Sequence, residues 1–433
     1  MPALSFVRAS GGMAKTFDAA WVRSQFPAMD PRRRVPPEIY FDGPGGTQVP
    51  RQVIDAVSGY LACSNANLHG AFRTSRESDY VVAGAHRAAA DLLGCTPAEV
   101  IFGQNMTTLT FWLSRAVGEQ LSPGDEIVVT RLDHDANYTP WKSLERVGVR
   151  VREVRIQRKD CTIEMSSVRA KMNRRTKLLA VGFASNAVGS LNDVAKLTRL
   201  ARRYSARVFV DAVHYAPHGP IDVRKIGCDF MVCSAYKFFG PHLGLLYGKR
   251  YQLQRLPAYQ VRPAGNRIPW CHETGTQNHE GMAGLTAAVE YLAMVGRRFG
   301  TVGPNCTRRE AIVAGMNAIR YYERGLCQRL IRGLLENPDV DLYGIKDDTA
   351  FDRRVPTVAI RVRGVSPRRT AEVLAAHRIF VWDGNFYAQN LTEDLGLEES
   401  GGLVRIGLAH YNTMAEVDRL LEVLQTLRTI AER

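Results

Sequence analysis

Lys237 is a lysine in an apolar setting where a primary amine could act as a nucleophile. Residues 229–233 form an apolar run that predicts a buried strand, and Lys237 follows this run between Tyr236 and Phe238. A desolvated amine has a lowered pKa and can attack an aldehyde, as the lysines that form Schiff bases do. On this stretch alone, a lysine at a loop whose charge reaches solvent remains the alternative.

Five short apolar runs alternate with helix-like stretches between residues 97 and 250, which predicts an α/β fold with a parallel sheet. The spacing of apolar residues over 192–204 predicts one of the amphipathic helices. Ligands of open parallel sheets bind beyond the carboxyl ends of the strands, so the polar residues after each run are site candidates. These candidates are residues 105–108, residues 133–137, Ser185 with Asn186, Asp211 with His214, and Ser234 with Lys237.

This set has the groups that pyridoxal 5′-phosphate requires. The cofactor needs a lysine for its aldehyde, a carboxylate for its ring nitrogen and a flat group against its ring, for which Lys237, Asp211 and His134 are the candidates. Thr107 begins a helix-like stretch and, with Ser234, suits a phosphate at a helix N-terminus.

The phenolic oxygen of the cofactor also needs partners, and Asn186 and His214 are the candidates. Each of these polar residues alone could simply cap a helix or a turn. Their conjunction predicts the cofactor.

The polar groups that follow the five apolar runs, taken in their order along the chain, resemble the motifs of the class V aminotransferase family, most closely those of its cysteine desulfurase-like branch. The resemblance runs from about Tyr40 to the C-terminus and includes residues 67–69, 273–276 and 404–412. It implies a pyridoxal-phosphate enzyme of fold type I, with a mainly parallel seven-stranded sheet in a large domain and a smaller α+β C-terminal domain. The expected division is an N-terminal segment over 1–39 that packs with the small domain, a cofactor domain over 40–290 and a small domain over 291–433.

The resemblance also implies site roles for individual residues. Lys237 would bond to the cofactor, His134 would stack on its ring and move protons, and Asp211 would pair with the ring nitrogen. The implied cofactor-binding residues are Met106, Thr107, His134, Asn186, Asp211, His214, Ser234, Tyr236, Lys237 and, toward the neighbouring subunit of a homodimer with a shared site, Thr276. The implied substrate-binding residues are Arg405, which would clamp the α-carboxylate, together with His69, Asn385 and Tyr387. No metal site is expected.

Three positions depart from the family pattern. His214 stands where the family usually has glutamine, and Tyr236 where desulfurases usually have histidine. More important, residues 381–388 align with the loop that carries the sulfur-accepting cysteine, and Tyr387 falls near that cysteine. Since a phenol cannot accept sulfane sulfur as a thiolate does, we expect no sulfur transfer through a cysteine of the usual kind.

We expect an enzyme that binds a small amino acid through its amino group and removes the α-proton. The favoured outcome is elimination or a related cleavage of the side chain, in the manner of a C–S lyase. The alternatives are an aminotransferase, an epimerase, a desulfurase that uses a non-standard thiol and, remotely, a non-catalytic basic binding protein.

Composition limits the other classes of protein to which the chain could belong. The chain has 433 residues, 45% of them hydrophobic, and a formal net charge of +14. Its basic clusters are short and lack interleaved aromatics, so we expect neither nucleic-acid nor membrane partners. Eight cysteines are scattered without a CxxC pair, and no long apolar run or secretory signal is evident, which predicts a cytoplasmic location. We assign no function to residues 1–12.

Overall fold

The computed structural model describes residues 16–33 and 35–431, so residues 1–15 of the predicted N-terminal segment lie outside the described part. Two sheets and the helices around them carry the architecture. The strands are β1 (Ile39–Tyr40), β2 (Val100–Gly103), β3 (Glu126–Thr130), β4 (Arg150–Val154), β5 (Ile156–Gln157), β6 (Thr162–Ile163), β7 (Thr176–Gly182), β8 (Arg207–Asp211), β9 (Phe230–Ser234), β10 (Gly244–Gly248), β11 (Val340–Tyr343), β12 (Thr357–Val362), β13 (Ile379–Phe380), β14 (Trp382–Gly384) and β15 (Leu403–Gly407). The helices are α1 (Ala19–Ser24), α2 (Arg51–Cys63), α3 (Arg73–Leu93), α4 (Met106–Gly118), α5 (Thr139–Lys142), α6 (Met165–Lys171), α7 (Val194–Arg202), α8 (Val223–Ile226), α9 (Arg250–Leu253), α10 (His279–Phe299), α11 (Arg308–Leu335), α12 (Pro367–Ala376), α13 (Gln389–Leu395) and α14 (Met414–Ala431).

The larger sheet has seven strands in the order β2-β10-β9-β8-β7-β3-β4. β10 runs antiparallel to both of its neighbours, and the other strands run parallel to one another. Successive side chains point to opposite faces, so Ile127 and Val129 enter one core while Val128 enters another. Helices cover both faces, which is why these strands are apolar almost throughout.

The smaller sheet has four strands in the order β11-β12-β15-β14 and packs with α11, α12 and α14 around a third core. β1 pairs in parallel with β13, and Phe41 after β1 lies in the same core. Arg23 of α1 donates to the carbonyl of Tyr411 and to Glu416, which ties the start of the described chain to the first turn of α14 and the residues before it.

The predicted fold class is confirmed: an α/β architecture with a mainly parallel seven-stranded sheet. All five predicted runs are strands, and the predicted helix over 192–204 is α7, which begins after its N-cap Asp193. The domain boundaries at 39/40 and 290/291 stay predictions. Among the described residues, no helix is both long and apolar enough to cross a membrane.

Candidate active site

A cavity of about 430 Å³ lies where the carboxyl ends of the large sheet face the small sheet. The strand ends of β3, β7, β8 and β9 supply one side, and the segment from β14 to residue 387 together with β15 supplies the other. The structure brings these sequence-predicted residues together on its lining: Met106, Thr107, His134, Asn186, Asp211, His214, Tyr236, Lys237, Asn385, Tyr387 and Arg405.

Lys237 projects into the cavity from a 3₁₀ turn directly after β9. Its Nζ donates a hydrogen bond to the carbonyl of Pro44, and it lies 4.8 Å from the ring centre of Tyr236. Burial lowers the pKa of Lys237 to about 7, with the positive charge of Arg405 acting in the same direction and Asp211 opposing it. A large fraction of the amine is therefore an uncharged nucleophile near neutral pH.

Asp211 ends β8, and its carboxylate is buried on the cavity lining. Its Oδ1 accepts the backbone N–H of Val213 at 2.9 Å, which fixes the carboxylate at the strand end. Burial raises the pKa of Asp211 to about 6, so this carboxylate is mostly ionised at neutral pH.

Asp133 is a second buried carboxyl on the lining, and its sequence position had suggested no specific role. It accepts hydrogen bonds from the Gly182 N–H at 2.9 Å and from Asn137 at 3.1 Å, and so joins the end of β7 to the residues after β3. Burial, reinforced by Asp211, raises the pKa of Asp133 to about 8. Its position shortly after the apolar strand β3 was the signal in the sequence that could have indicated a buried carboxyl in the site.

His134 is held as a neutral ring. Its Nδ1 accepts the backbone N–H of Ala136 at 3.0 Å, which leaves the ring proton on Nε2. Burial lowers the pKa of His134 to about 4, with the nearby charges of Lys237 and Arg405 acting in the same direction.

The N-terminus of α4 opens onto the cavity at Met106 and Thr107. Asn105 caps the helix by accepting the N–H of Thr108 at 2.9 Å, and the Met106 N–H donates to Ser234 Oγ at 3.0 Å. Ser234 lies behind the lining, but its hydroxyl keeps a proton to donate. A Cβ added at Gly244 of β10 would lie 2.6 Å from the carbonyl carbon of Asn105, so glycine is required for this close approach.

Arg405 reaches the cavity from β15 of the small sheet. Its Nη1 donates to the carbonyl of Asn186 at 2.9 Å, and its guanidinium lies 4.3 Å from the ring centre of Phe386. Its Nε is buried without a partner among the described residues, as is Oδ1 of Asn186. Burial lowers the pKa of Arg405 to about 9, which leaves it cationic at neutral pH, and Asp42 opposes the shift.

The segment after β14 forms the outer wall. Phe386 and Tyr387 have φ values of 56° and 58°, in the left-handed region that few non-glycine residues adopt. Two hydrogen bonds hold them there: Asn186 Nδ2 donates to the Phe386 carbonyl at 2.8 Å, and the Asp135 N–H donates to the Tyr387 carbonyl at 2.6 Å. The amide of Asn186 that was expected to face a phenolic oxygen is thus directed at the backbone.

Some lining residues had been noted in the sequence without a site role, and others had not been noted. Phe386 and Trp382 belong to the aromatic-rich segment whose alignment had drawn attention to Tyr387. Pro44 and Gly45 lie in a glycine-proline turn far upstream, and only the tertiary structure brings them to Lys237.

Besides Ser234, which lies behind the lining, two predicted residues lie outside the cavity of this chain. His69 is exposed, and its ring lies 3.2 Å from Asp79. Thr276 is exposed in the segment before α10. Neither contributes to the cavity as one chain forms it, and the role of Thr276 in a neighbouring subunit stays a prediction.

The chain is similar to known proteins over almost its whole length. The sequence profile of the family "Aminotransferase class-V" matches residues 39–299 and 310–420. An aminotransferase-like protein of Gibberella zeae is 31% identical, covering 95% of this chain and 99% of that protein. A probable cysteine desulfurase of Mycobacterium leprae is 32% identical, covering 97% of this chain and 66% of its own length.

Solved structures give the same fold. A cysteine desulfurase from Thermococcus onnurineus superposes with a TM-score of 0.85 at 25% identity, covering 96% of this chain and 99% of that one. The desulfurase CsdA from Escherichia coli gives a TM-score of 0.80 at 25% identity, with the same coverage of each chain.

Proposed function

The chain belongs to the class-V aminotransferase family, and we propose that it cleaves a side-chain bond of an amino acid after removing the α-proton, as a C–S lyase does. The coarse function is that of a pyridoxal-phosphate enzyme acting on an amino acid, which the family assignment establishes. The observation that carries the finer proposal is the convergence of Lys237, Asp211 and Arg405 on one cavity whose outer wall has a tyrosine near the expected cysteine.

The residues present fit pyridoxal 5′-phosphate. A buried amine with a lowered pKa, Lys237, faces an ionised buried carboxylate, Asp211, across the same cavity. The α4 N-terminus presents the Thr107 N–H for a phosphate, and Ser234, which accepts the Met106 N–H, keeps its hydroxyl proton for the same group. When bound, the cofactor supplies an electron sink for the α-carbon of the amino acid.

The chain's own groups have distinct tasks. Lys237, as the free base, takes the α-proton, because its lowered pKa keeps it largely uncharged. Asp211 holds a proton at the ring nitrogen by hydrogen bonding. His134 stays neutral and offers a flat face and an Nε2–H donor.

Arg405 is suited to hold the α-carboxylate. Its Nη1 is already bonded to the Asn186 carbonyl, while its buried Nε has no partner among the described residues, so Nε and Nη2 remain for a two-pronged contact. Phe386 covers the guanidinium face and keeps water from it.

The outer wall is built from aromatic side chains, of which Trp382 and Tyr387 are exposed to solvent on one side. Trp382, Phe386 and Tyr387 surround the space left for the side chain of the substrate. An aromatic wall selects a side chain by shape, which favours cleavage of a bound substrate over delivery of a product to a protein partner.

Desulfuration through a non-standard thiol is the second candidate, favoured by the names of the relatives. It also breaks a C–S bond, but it leaves sulfur on a protein cysteine. All eight cysteines fall within the described residues, and none of them lines the cavity. Aminotransfer and epimerisation remain as further candidates, and they return the proton to a different carbon or face.

The test is a panel of amino acids incubated with the holoenzyme, with products identified by mass spectrometry and chiral separation. Elimination predicts a keto acid, ammonia and the released side-chain fragment from substrates with a β- or γ-sulfur substituent. Amine exchange without fragment release would contradict elimination and select aminotransfer, and inverted stereochemistry would select epimerisation.

We also propose a homodimer that completes the site. Exposed apolar side chains at Phe72, Tyr80, Val261 and Trp270 support it, and the Trp270 ring packs against His86 of α3. Light scattering would test the mass in solution, and a monomer with full cofactor content would contradict the shared site. The cytoplasmic location stays a prediction.

A further inference from the structure

A second cavity lies behind the candidate active site. It has a volume of about 800 Å³ and is lined by α11, by the turn after β8 and by the segment before β12. Two buried ionisable residues on its lining, His218 and Glu323, have no role in the proposed function. Burying a carboxylate is costly unless it is paired, so their presence calls for a physical reason.

His218 and Glu323 form a hydrogen-bonded pair. His218 Nδ1 lies 2.8 Å from Glu323 Oε2, and both side chains are almost fully buried. The other carboxylate oxygen, Oε1 of Glu323, is buried without a well-formed hydrogen bond in the described protein. Glu323 and His218 both line the second cavity, which is large enough for many waters.

His218 is also the point where this cavity meets the active site. A space of about 10 Å³, enough for one water molecule, lies between the two cavities. His214, His218 and Lys237 all border it, and they provide the polar partners that an enclosed water needs. Among the described residues, His218 alone borders both this space and the second cavity, while Pro44, His214 and Lys237 border both this space and the active site.

The imidazoles of His214 and His218 lie 5.6 Å apart, and His214 Nε2 is bonded to Thr357 Oγ1 at 2.9 Å. Burial lowers the pKa of His214 well below its usual value, so His214 stays neutral. Burial raises the pKa of Glu323, while His218 and the backbone N–H of His410 oppose that shift. The other titratable or charged groups facing the second cavity are Tyr215, Arg320, Tyr321, Arg324, Cys327, Asp352 and Arg354.

We propose that His218 and Glu323 relay protons between Lys237 and the water of the second cavity. The relay rests on the α-proton step of the proposed function. Lys237, once protonated, gives a proton to the enclosed water, and that water gives one to His218 Nε2. His218 passes its Nδ1 proton to Glu323, which releases a proton to the cavity. One proton enters and one leaves, and the same transfers in reverse restore the first tautomer of His218 when a proton returns.

The relay gives Lys237 a path to solvent that does not cross the substrate. When an amino acid occupies the front of the cavity, a proton on Lys237 that has no second path can only return to the substrate. His218 and Glu323 are thus positioning residues for proton traffic that act through Lys237.

The test uses α-deuterated L-alanine, which undergoes α-proton removal but carries no leaving group. In the wild-type holoenzyme, deuterium taken up by Lys237 should wash out into water, as measured by mass spectrometry. In His218→Gln and Glu323→Gln, which keep size and polarity, we expect washout at least tenfold slower, because the deuterium returns to the substrate. Washout within twofold of wild type, in variants with full cofactor absorbance, would overturn the relay.

A matched control is Tyr321→Phe, whose exposed side chain lines the same cavity without touching the pair. Tyr321→Phe should leave the rate of deuterium washout unchanged. A decrease in that rate as large as the one in Glu323→Gln would contradict the relay, because any change in the cavity wall would then have the same effect. If wild type exchanges no deuterium from alanine and processes no other amino acid, the proposed function fails instead.

Two measurements on the wild-type chain remain decisive if the variants do not fold. Washout rates in mixtures of light and heavy water should curve with deuterium content, because more than one proton moves, and a linear plot would overturn the relay. In cofactor-free protein labelled with ¹⁵N-histidine, the His218 ring proton should exchange with water faster than that of His272, which is buried and bonded to the Leu253 carbonyl at 2.8 Å. Equal or slower exchange would contradict access to the second cavity.

Discussion

Tyr387 stacks on His134, with ring centres 5.3 Å apart and ring planes 23° apart. The contact is reinforced by the backbone, since the N–H of Asp135 donates to the Tyr387 carbonyl. Tyr387, which falls near the expected sulfur-accepting position, is therefore packed against His134, the histidine expected to stack on the cofactor. This geometry serves to hold an imidazole in place, and it differs from what a mobile sulfur carrier requires.

Removing the Tyr387 ring should weaken substrate binding while the cofactor stays bound. Aromatic stacking contributes about 0.5–1.5 kcal/mol, so Tyr387→Ala should raise KM by roughly 2- to 10-fold. Tyr387→Phe keeps the stacked ring and is the matched control, for which KM should stay close to wild type. Steady-state kinetics measures both, and equal effects of the two variants would show that the hydroxyl matters rather than the ring.

Lys237 should react with the cofactor at a pH far below that of an ordinary lysine. Its pKa is lowered to about 7, so the reactive free amine is half formed near pH 7 and is lost as the pH falls below that value. The rate at which cofactor-free protein gains the visible absorbance should follow this titration. Lys237→Ala should form no borohydride-reducible link, whereas Lys249→Ala, which removes a lysine paired with Asp229, should keep it. A half-maximal rate near the usual lysine range would contradict the lowered pKa.

The same pKa has a consequence for stability. Between about pH 7 and the usual lysine range, the unfolded chain holds a proton that the folded, cofactor-free protein has released. Folding stability should therefore rise with pH across this window, relative to the Lys237→Met variant. Thermal melts of the two cofactor-free proteins measure the difference, and parallel pH profiles would show that the amine is charged when folded.

Asp211 and Asp133 should behave differently when each is replaced by asparagine. Asp211, with a pKa of about 6, is mostly ionised at neutral pH, so Asp211→Asn should keep the cofactor but slow α-proton exchange by about 100-fold or more. Asp133, with a pKa of about 8, is mostly protonated, and asparagine resembles that form, so the loss should stay within about tenfold. Isotope exchange on the two variants compares them directly, and unchanged exchange in Asp211→Asn would reduce this residue to a turn cap.

Replacing Arg405 with lysine should impair substrate binding and leave the free-enzyme spectrum unchanged. Lysine keeps the charge but loses the planar pair of donors, and a hydrogen bond to a charged group is worth about 1.5–3 kcal/mol, so KM should rise by roughly 10- to 100-fold. Arg361→Lys is the matched control, since Arg361 lies in β12 of the same sheet and bonds to Ser400 at the surface. Equal turnover of amines that lack an α-carboxylate would remove the clamp role.

No cysteine of this chain should collect sulfur stoichiometrically from L-cysteine. Burial raises the pKa of the Cys161 thiol to about 11 and that of the Cys228 thiol to about 12, so both stay protonated and unreactive. Cys63 is exposed but does not line the cavity. Alkylation and mass spectrometry after incubation with L-cysteine, with alanine measured in parallel, check the expectation. Stoichiometric persulfide on any cysteine with matching alanine would restore the desulfurase assignment, and Tyr387→Cys shows whether a thiol at this position suffices.

The strand pattern predicted five of the seven strands of the large sheet, β2, β3, β7, β8 and β9, because these strands are buried on both faces and therefore appear as continuous apolar runs bounded by polar residues. The same regularity predicted the rim that carries His134, Asp211 and Lys237, since the carboxyl ends of parallel strands meet at one edge. Asp133 lies on that rim but suggested no role, because a carboxylate at a strand end resembles an ordinary cap until its burial is known. Phe386 gave no signal of its contact with Arg405, because the two residues lie on different elements.

The sequence by itself determined the fold class and the cofactor, and it predicted Lys237 as the residue that bonds to the cofactor, because local apolar periodicity and short motifs specify a parallel sheet and the groups at its edge. Only the tertiary structure decided how the small sheet meets this edge, where Arg405, Phe386 and Tyr387 close over the site. It alone also placed His218 of the large sheet's turn against Glu323 of α11, 105 residues away. Such contacts depend on how distant elements pack, and residue spacing does not specify that packing. Burial likewise depends on the packing, and it is burial that shifts the pKa values of the Lys237 and Asp211 side chains.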